Sequence, residues 1–303
     1  MITRDTRAFL EAARGCAPDF GAATAKAAFL VSPEGFSRAD ESASDNRYMA
    51  DAAGYDAARA LDQHRGLQAA LSPVLPTLCF AGDPQAPDGL FPNNAFATAP
   101  GRLVVGRMRH AVRRREAARA DIRGFFRDVL GYAETDLSTQ PHPCELTGAL
   151  VIDRARGLGF CGLSERCDEE GARLMHAAFG LRATLLFDLA PGEYHANVVL
   201  AVLAGRAALV CPGGFADPAA VEAIAGLYAP HVALLSPAEH AAFAGNAISV
   251  SPGTAWMSAG AASALSAASR TMLDNAGFSL RPVPLDAVEA AGGSLRCCVA
   301  EIY

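Results

Sequence analysis

The sequence predicts an α/β fold in which short strands and hairpins alternate with single helices, within one domain spanning residues 1–303. Three observations predict it. The chain is 51% hydrophobic and 19% charged, enough to build a substantial core. Short apolar runs of strand length recur between segments of helical spacing, on a cycle of roughly 50–60 residues. No linker or shift of composition divides the chain. A regular βαβ alternation would give a doubly wound parallel sheet, but the hairpins argue against that arrangement.

The elements follow in order. Residues 1–25 are Ala-rich and predict a helix, and Ala27 to Val31 is the first strand, ended by Pro33. Residues 50–71 carry helical spacing. A Pro/Gly/Asp-rich loop from Gly82 to Gly89 leads to Leu90-Phe91-Pro92-Asn93-Asn94-Ala95-Phe96, and a strand follows over residues 103–108. The next helix, residues 110–131, begins in a basic cluster and carries Phe125, Phe126, Val129 and Leu130 as an apolar stripe. A hairpin joins residues 149–153 to 158–163 through the turn Arg154-Ala155-Arg156-Gly157. A helix over 168–179 and a strand over 183–187 come next. Tyr194 to Leu200 then turns at Ala204-Gly205-Arg206 into Ala207 to Cys211. Helices over 217–228, 236–243 and 261–276, with a strand over 231–235, precede the close of the chain. There, Gly292-Gly293-Ser294 leads into an apolar strand that opens on Cys297 and Cys298. Glycines allow tight turns and close approach of backbone to a ligand.

Composition excludes several classes. With a net charge of −6 and a pI near 5.7, no global field draws the protein to nucleic acid or an anionic membrane. The eight cysteines form no C-x-x-C and no regular framework, which suits a reducing cytosol better than a disulfide scaffold. The N-terminus carries charges of both signs with no apolar region after it, and no stretch reaches the roughly 18 apolar residues of a membrane helix. A soluble, cytoplasmic protein is expected, with a homo-oligomer left open.

Individual motifs carry little weight. Gly157-Leu158-Gly159-Phe160-Cys161-Gly162 fits G-x-G-x-x-G, but four residues separate it from the preceding strand where a dinucleotide site needs a tight turn. It reads better as the return strand of the hairpin. His142-Pro143-Cys144-Glu145 lacks the downstream P-C-x-x-C of a zinc deaminase, so no metal and no cofactor are expected. Arg113-Arg114-Arg115-Glu116 suits a solvated helix face, against a structural or substrate-side ion pair. Cys297 and Cys298 taken alone suit a buried structural pair. More telling is a set of polar residues at the mouths of apolar runs: Asn93, Asn94, Glu145, His195, Asn197 and Cys297. They supply an acid, a base, amides and a thiol, the equipment of a cysteine nucleophile.

The motifs Phe91-Pro92-Asn93-Asn94-Ala95-Phe96, Glu145-Leu146-Thr147-Gly148-Ala149-Leu150-Val151-Ile152-Asp153-Arg154, Ser164-Glu165-Arg166, Tyr194-His195-Ala196-Asn197-Val198 and Gly293-Ser294-Leu295-Arg296-Cys297 occur in this order. Together they resemble the guanidino-group-modifying, or pentein, superfamily over about residues 27–303. That superfamily includes arginine deiminase, dimethylarginine dimethylaminohydrolase, agmatine deiminase, succinylarginine dihydrolase and amidinotransferases, and the nearest likeness is to its arginine-deiminase-related, citrulline-utilisation branch. The resemblance implies a pentein α/β propeller of five ββαβ-like modules around a pseudo-fivefold axis, with the active site in the central channel. It also implies Cys297 as nucleophile, His195 as acid and base, and Glu145 as the acid that binds substrate nitrogens. Asn93, Asn94 and Asn197 then bind substrate, and Arg166 grips its carboxylate.

The implied reaction is hydrolysis of a C–N bond in a guanidino or ureido amino acid through a Cys297 adduct, with ammonia released. A neighbouring His⁺ would lower the thiol pKa and protonate the departing amine. Asn94 and Asn197 stand where arginine deiminase has aspartates, which favours a neutral ureido group, although succinylarginine dihydrolase also has asparagine at the first position. Ala95, Cys144 and Leu146 alter the pocket wall. Amidino transfer through the same adduct, or a non-catalytic protein binding an arginine analogue, are the alternatives.

Overall fold

Five small sheets of one common construction make up the computed structural model, which describes residues 1–303. Strand β1 (Ile2–Thr3) is a two-residue edge strand. β2 (Ala27–Val31) and β3 (Thr77–Phe80) run parallel, joined across the helix Ala57–Leu71. β4 (Phe96–Ala99) and β5 (Arg102–Val105) form a hairpin, and β5 pairs in parallel with β6 (Ala133–Asp136). The pattern repeats in β7 (Leu150–Asp153), β8 (Leu158–Leu163) and β9 (Ala183–Asp188), where β1 adds to the edge of β9. It repeats again in β10 (Leu200–Leu203), β11 (Ala207–Val210) and β12 (Val232–Leu234), and in β13 (Ile248–Ser251), β14 (Thr254–Ser258) and β15 (Ser279–Val283). The final strand β16 (Ala300–Ile302) pairs antiparallel with β2, Ala300 opposite Phe29, so the end of the chain supplies the first strand of the sheet that its beginning starts. Each sheet therefore reads antiparallel pair, helix, parallel strand. This is the pentein propeller expected from the motifs.

Local chemistry sets the helices between the second and third strands. Asp56, Asp168, Asp217 and Ser266 cap the helices Ala57–Leu71, Glu169–Phe179, Pro218–Tyr228 and Ala267–Asn275, their side chains accepting from free backbone N–H groups of the first turn. Gly180, in the left-handed region, stops the second of these. The helix expected over 110–131 is broken into Ala111–Ala117, Ala120–Gly124 and a π turn over Phe125–Val129. Buried Arg113 and buried Ile122 are nine positions apart, which at about 100° per residue puts them on opposite faces of a continuous helix. Breaking at Ala118 lets Arg113 turn toward the axis while Phe126 packs edge-on against Phe29 at 5.6 Å.

Other expectations shift in extent. Only Thr6–Arg14 of residues 1–25 is helical, and the helix expected over 261–276 is two, Ala259–Ala264 and Ala267–Asn275. β1, β3, β4, β6 and β13 to β15 are not legible in the pattern; β3 and β6 are edge strands with little burial and so lack apolar alternation. Gly157 lies at φ 71° in the turn while Gly159 and Gly162 lie within β8, so the G-x-G-x-x-G is a hairpin return. Cys297 does not open the last strand; it lies in the one-turn helix Leu295–Cys298 that precedes it.

Candidate active site

Each sheet's first strand is reached through a short turn, and these turns meet at the axis. They are Pro92–Asn94 before β4, Leu146–Ala149 before β7, Ala196–Val199 before β10, residues 245–247 before β13, and Leu295–Cys298 before β16. Buried polar side chains come with them: Asn93, Asn94, Glu145, His195, Asn197, Asn246 and Cys297, none more than 2% exposed. At Gly148 there is no room for a Cβ. One built there would stand 2.8 Å from His195 Nδ1 and closer still to Asn94 Oδ1, so those two polar atoms flank a single point.

Glu145 is the hub. Its Oε2 accepts from His195 Nε2 at 2.9 Å and Arg113 at 3.2 Å, with an Arg166 nitrogen at 3.5 Å; its Oε1 accepts the Arg109 N–H at 3.1 Å. Burial opposes the charge, but Arg166, Arg113 and the His195 contact prevail and hold the carboxyl well below the usual range. Arg113 in turn makes a two-pronged pair with Glu116 at 2.8 Å. Arg166 donates to Asp45 at 2.5 Å and to the Ser42 carbonyl at 2.9 Å, its guanidinium over the Tyr194 ring. Burial raises Glu116 to about 7 despite Arg113.

A carboxylate only accepts, so His195 Nε2 carries the proton and Nδ1 keeps its lone pair, with no partner in the protein. Burial lowers the His195 pKa to about 4 against the pull of Glu145, whose charge two guanidinium groups already share. The imidazole is neutral at physiological pH, which differs from the imidazolium expected beside the thiol. Cys297 is pushed up, chiefly by burial, and is relieved by its backbone surroundings and by Asn246. Asn246 Nδ2 donates to Cys297 Sγ at 3.3 Å and to the Asn197 carbonyl at 2.8 Å, while its Oδ1 accepts the Arg296 N–H at 3.0 Å. Asn197 Oδ1 stands 3.8 Å from the sulfur, held by the bond from its Nδ2 to the Thr147 carbonyl. Cys298 is fully buried among apolar neighbours, a packing residue.

A small cavity that Cys297 lines is walled also by Asp88, Asn94, Arg113, Arg166 and Tyr194, with Ser42, Asn46 and Met49 among its other neighbours. Gly292, at φ 75°, admits Asn46 against its backbone; a Cβ there would overlap the amide. Asp88, 3% exposed, takes the Ser42 hydroxyl on Oδ2 at 2.5 Å, and its Oδ1 has no partner. Both side-chain atoms of Asn93 and Asn94 Oδ1 are likewise unpartnered. Buried polar atoms without partners are costly unless a ligand takes them up.

The fold thus gathers Cys297, His195, Glu145, Asn93, Asn94, Asn197 and Arg166 at one axis. Two of them are placed differently from expectation. Glu145 turns its charge to His195, Arg113 and Arg166 rather than presenting a free edge, and Arg166 is engaged by Asp45, Ser42 and Glu145 rather than free to grip a carboxylate. Arg113, Asp88 and Asn246 escape a reading of the sequence. Arg113 sits in a charge run that suits a solvated face, but the structure realises the alternative, a buried ion pair with Glu116 and Glu145; Asp88 lies in a polar loop. Asn246 alone gave a usable signal, a polar residue just before Ala247-Ile248, as Asn197 is before its own apolar run.

A family model described as N,N dimethylarginine dimethylhydrolase, eukaryotic, matches residues 32–303. No curated protein matches the chain. Among solved structures, the substrate-bound N-terminal domain of ArgZ, an arginine dihydrolase from the Ornithine-Ammonia Cycle in Cyanobacteria, aligns with a TM-score of 0.79 at 20% identity, over 91% of this chain and 97% of that one. AgrE with L-arginine aligns with the same score and identity over 91% of this chain but 40% of its own length. Dimethylarginine dimethylaminohydrolase carrying an S-methyl-L-thiocitrulline adduct aligns with a TM-score of 0.70 at 18% identity, over 92% of this chain and 100% of that one. At these identities the likeness is one of fold.

Proposed function

The chain belongs to the N,N dimethylarginine dimethylhydrolase family of guanidino-modifying hydrolases, and from that premise we propose that it hydrolyses a guanidino C–N bond through a covalent adduct on Cys297. The observation that carries this reading is that Asn94 neighbours both a thiol held by Asn246, across the cavity that Cys297 lines, and an imidazole that Glu145 orients and whose Nδ1 has no partner.

Resting thiol and imidazole are both neutral, because burial disfavours either charge. A cationic guanidinium in the cavity changes the balance: its charge beside Sγ favours the thiolate, which Asn246 Nδ2 stabilises, and His195 Nδ1 takes the thiol proton. Sγ then bonds to the guanidinium carbon. His195 returns the proton to the departing nitrogen, the C–N bond breaks, and ammonia leaves. Water adds to the remaining carbon and gives a proton to His195; the C–S bond breaks, His195 returns that proton to the sulfur to restore the thiol, and the ureido product is released as its remaining extra proton passes to solvent, where the ammonia becomes ammonium. Glu145 acts throughout by orienting His195 and stabilising the imidazolium formed in each half-reaction.

Asp88 bears on the substrate. Asn94 and Asn197 lack the charge that a cation calls for, but the unpartnered Asp88 Oδ1 restores a carboxylate to the cavity wall. This favours a guanidinium, arginine-like and N-methylated compounds included, over a neutral ureido group. The test is release of ammonia or methylamine from arginine, methylated arginines, agmatine, N-succinylarginine and citrulline. Wild type is compared with Cys297→Ser and Cys298→Ser. Release lost in the first variant and kept in the second is expected; full activity of Cys297→Ser would remove the nucleophile from the reading.

A further inference from the structure

The cavity that Cys297 lines has two cations on its wall, Arg113 and Arg166, and carboxylates already hold both. Arg113 donates to the two oxygens of Glu116 at 2.8 Å and to Glu145 at 3.2 Å, with Asp88 at 3.8 Å. Arg166 meets Asp45 Oδ1 through Nη2 at 2.5 Å and through Nε at 3.1 Å, donates to the Ser42 carbonyl, and has Glu145 at 3.5 Å. The other oxygen of Asp45 lies 2.9 Å from His110 Nε2. Four carboxylates thus surround two guanidinium groups. Burial raises Glu116 to about 7 and removes part of one charge, yet the acids stay in excess even with a proton on His110. The donors of Ser42, Asn46 and Tyr194 are spent as well: the first goes to Asp88, the other two to the Gly292 carbonyl. The buried wall atoms that lack a partner, Asp88 Oδ1 and Asn94 Oδ1, are both acceptors.

We propose that this site takes guanidines without an α-carboxylate, the aminoalkylguanidine class to which agmatine belongs, and that Asp45 sets the choice by occupying Arg166. The proposal rests on the hydrolytic reading above and narrows it. Orphaned acceptors gain from the N–H edge of a guanidinium. A ligand carboxylate meets no group in want of it. To reach Arg166 it must displace Asp45, or lie beside it as a like charge where water is excluded. A far end that is cationic or neutral carries no such cost. Asp45 follows the short helix Asp40–Ala43, and its neighbours are tied down on both sides, Ser42 to Arg166 and Asn46 to Gly292, so its carboxylate is fixed against the guanidinium.

Three compounds separate charge from bulk: agmatine, arginine, and argininamide, which keeps the size of arginine without the anion. Ammonia release should give a kcat/KM about 10-fold or more higher for agmatine and argininamide than for arginine. Asp45→Asn keeps the shape and removes the charge. It should narrow that ratio about 10-fold by lowering KM for arginine, a selective gain that a merely structural residue would not give. Arginine turned over by wild type as well as agmatine overturns the proposal, as does a folded Asp45→Asn variant with the wild-type ratio. Argininamide as poor as arginine would make bulk the discriminator and overturn the role of the charge. Should Asp45→Asn fail to fold, the wild-type ratios decide. Release from methylated arginines alone overturns the proposal and leaves the hydrolytic reading standing. If wild type releases no amine from any guanidino compound, the hydrolytic reading falls by itself, and calorimetric titration decides the ligand class. Agmatine bound about 10-fold tighter than arginine upholds the proposal; equal binding, or binding of neither, overturns it.

Discussion

Replacing Asn246 by Ala removes the one side-chain donor that reaches the proposed nucleophile, Nδ2 at 3.3 Å from Cys297 Sγ. The thiol is already pushed up by burial, and Asn246 is among the groups that pull it back. A hydrogen bond to a charged group contributes about 1.5–3 kcal/mol, so its loss lowers the thiolate fraction at neutral pH by about 10- to 150-fold. The Ala variant also leaves the Arg296 N–H and the Asn197 carbonyl without their partner, so some loss of stability accompanies the effect. The assay separates the two. Alkylation of Cys297 by iodoacetamide, followed by peptide mass spectrometry across pH, reads thiolate availability directly and needs no substrate. The alkylation curve should move to higher pH in Asn246→Ala and return toward wild type in Asn246→His, which can still donate. An unchanged curve in a folded Asn246→Ala protein would refute the assigned hydrogen bond to the thiolate.

Three further outcomes follow from the same network. Glu145→Gln leaves Arg113 and Arg166 buried beside a neutral amide, and stability measured by urea titration should fall by about 3–5 kcal/mol; a variant as stable as wild type would mean the charge is dispensable. Asp88→Asn should raise KM about 10-fold or more for a guanidinium substrate while sparing any neutral ureido analogue, and an equal change for both would remove the charge argument. His195 and His64 are both lowered to about 4 by burial from an ordinary 6.5. The unfolded chain therefore binds more protons between those values, so their contribution to stability is whole above the unfolded pKa and is lost as pH falls toward 4. Glu116, raised to about 7, contributes in the opposite sense, its share being lost as pH rises through 7. His64→Leu compared with wild type isolates one histidine: urea midpoints at pH 7 and pH 5 should differ less in the variant, and an identical difference would exclude titration of His64.

Much of the frame was legible because it is written locally. Hairpins such as β7–β8 and helices such as Glu169–Phe179 are specified by turns, caps and period within a dozen residues. Catalytic candidates were legible for a similar reason: His195, Asn197, Glu145 and Cys297 interrupt apolar runs, and a polar residue bought at the mouth of a strand stands out in the sequence itself. Even so, the one-turn helices that hold these residues were not visible, since four residues carry no period.

What the tertiary structure decided is which charges face which. Arg113 reads as solvated in its own run, because nothing nearby in sequence says that Glu145, 32 positions on, and Asp88 will lie against it. Asp45 and Ser42 likewise take up Arg166 across more than 120 positions, turning an expected substrate clamp into an internal support. Burial then reverses the protonation states that residue types alone suggest, giving a neutral imidazole and a raised thiol in place of an ion pair. Period and turn propensity act over a few residues, whereas desolvation and buried ion pairing depend on every group brought to the axis. The sequence by itself therefore determined several hairpins, the main helices and the reactive residue types; only the closing of five sheets around one axis determined their charges, their partners and the cavity that Cys297 lines.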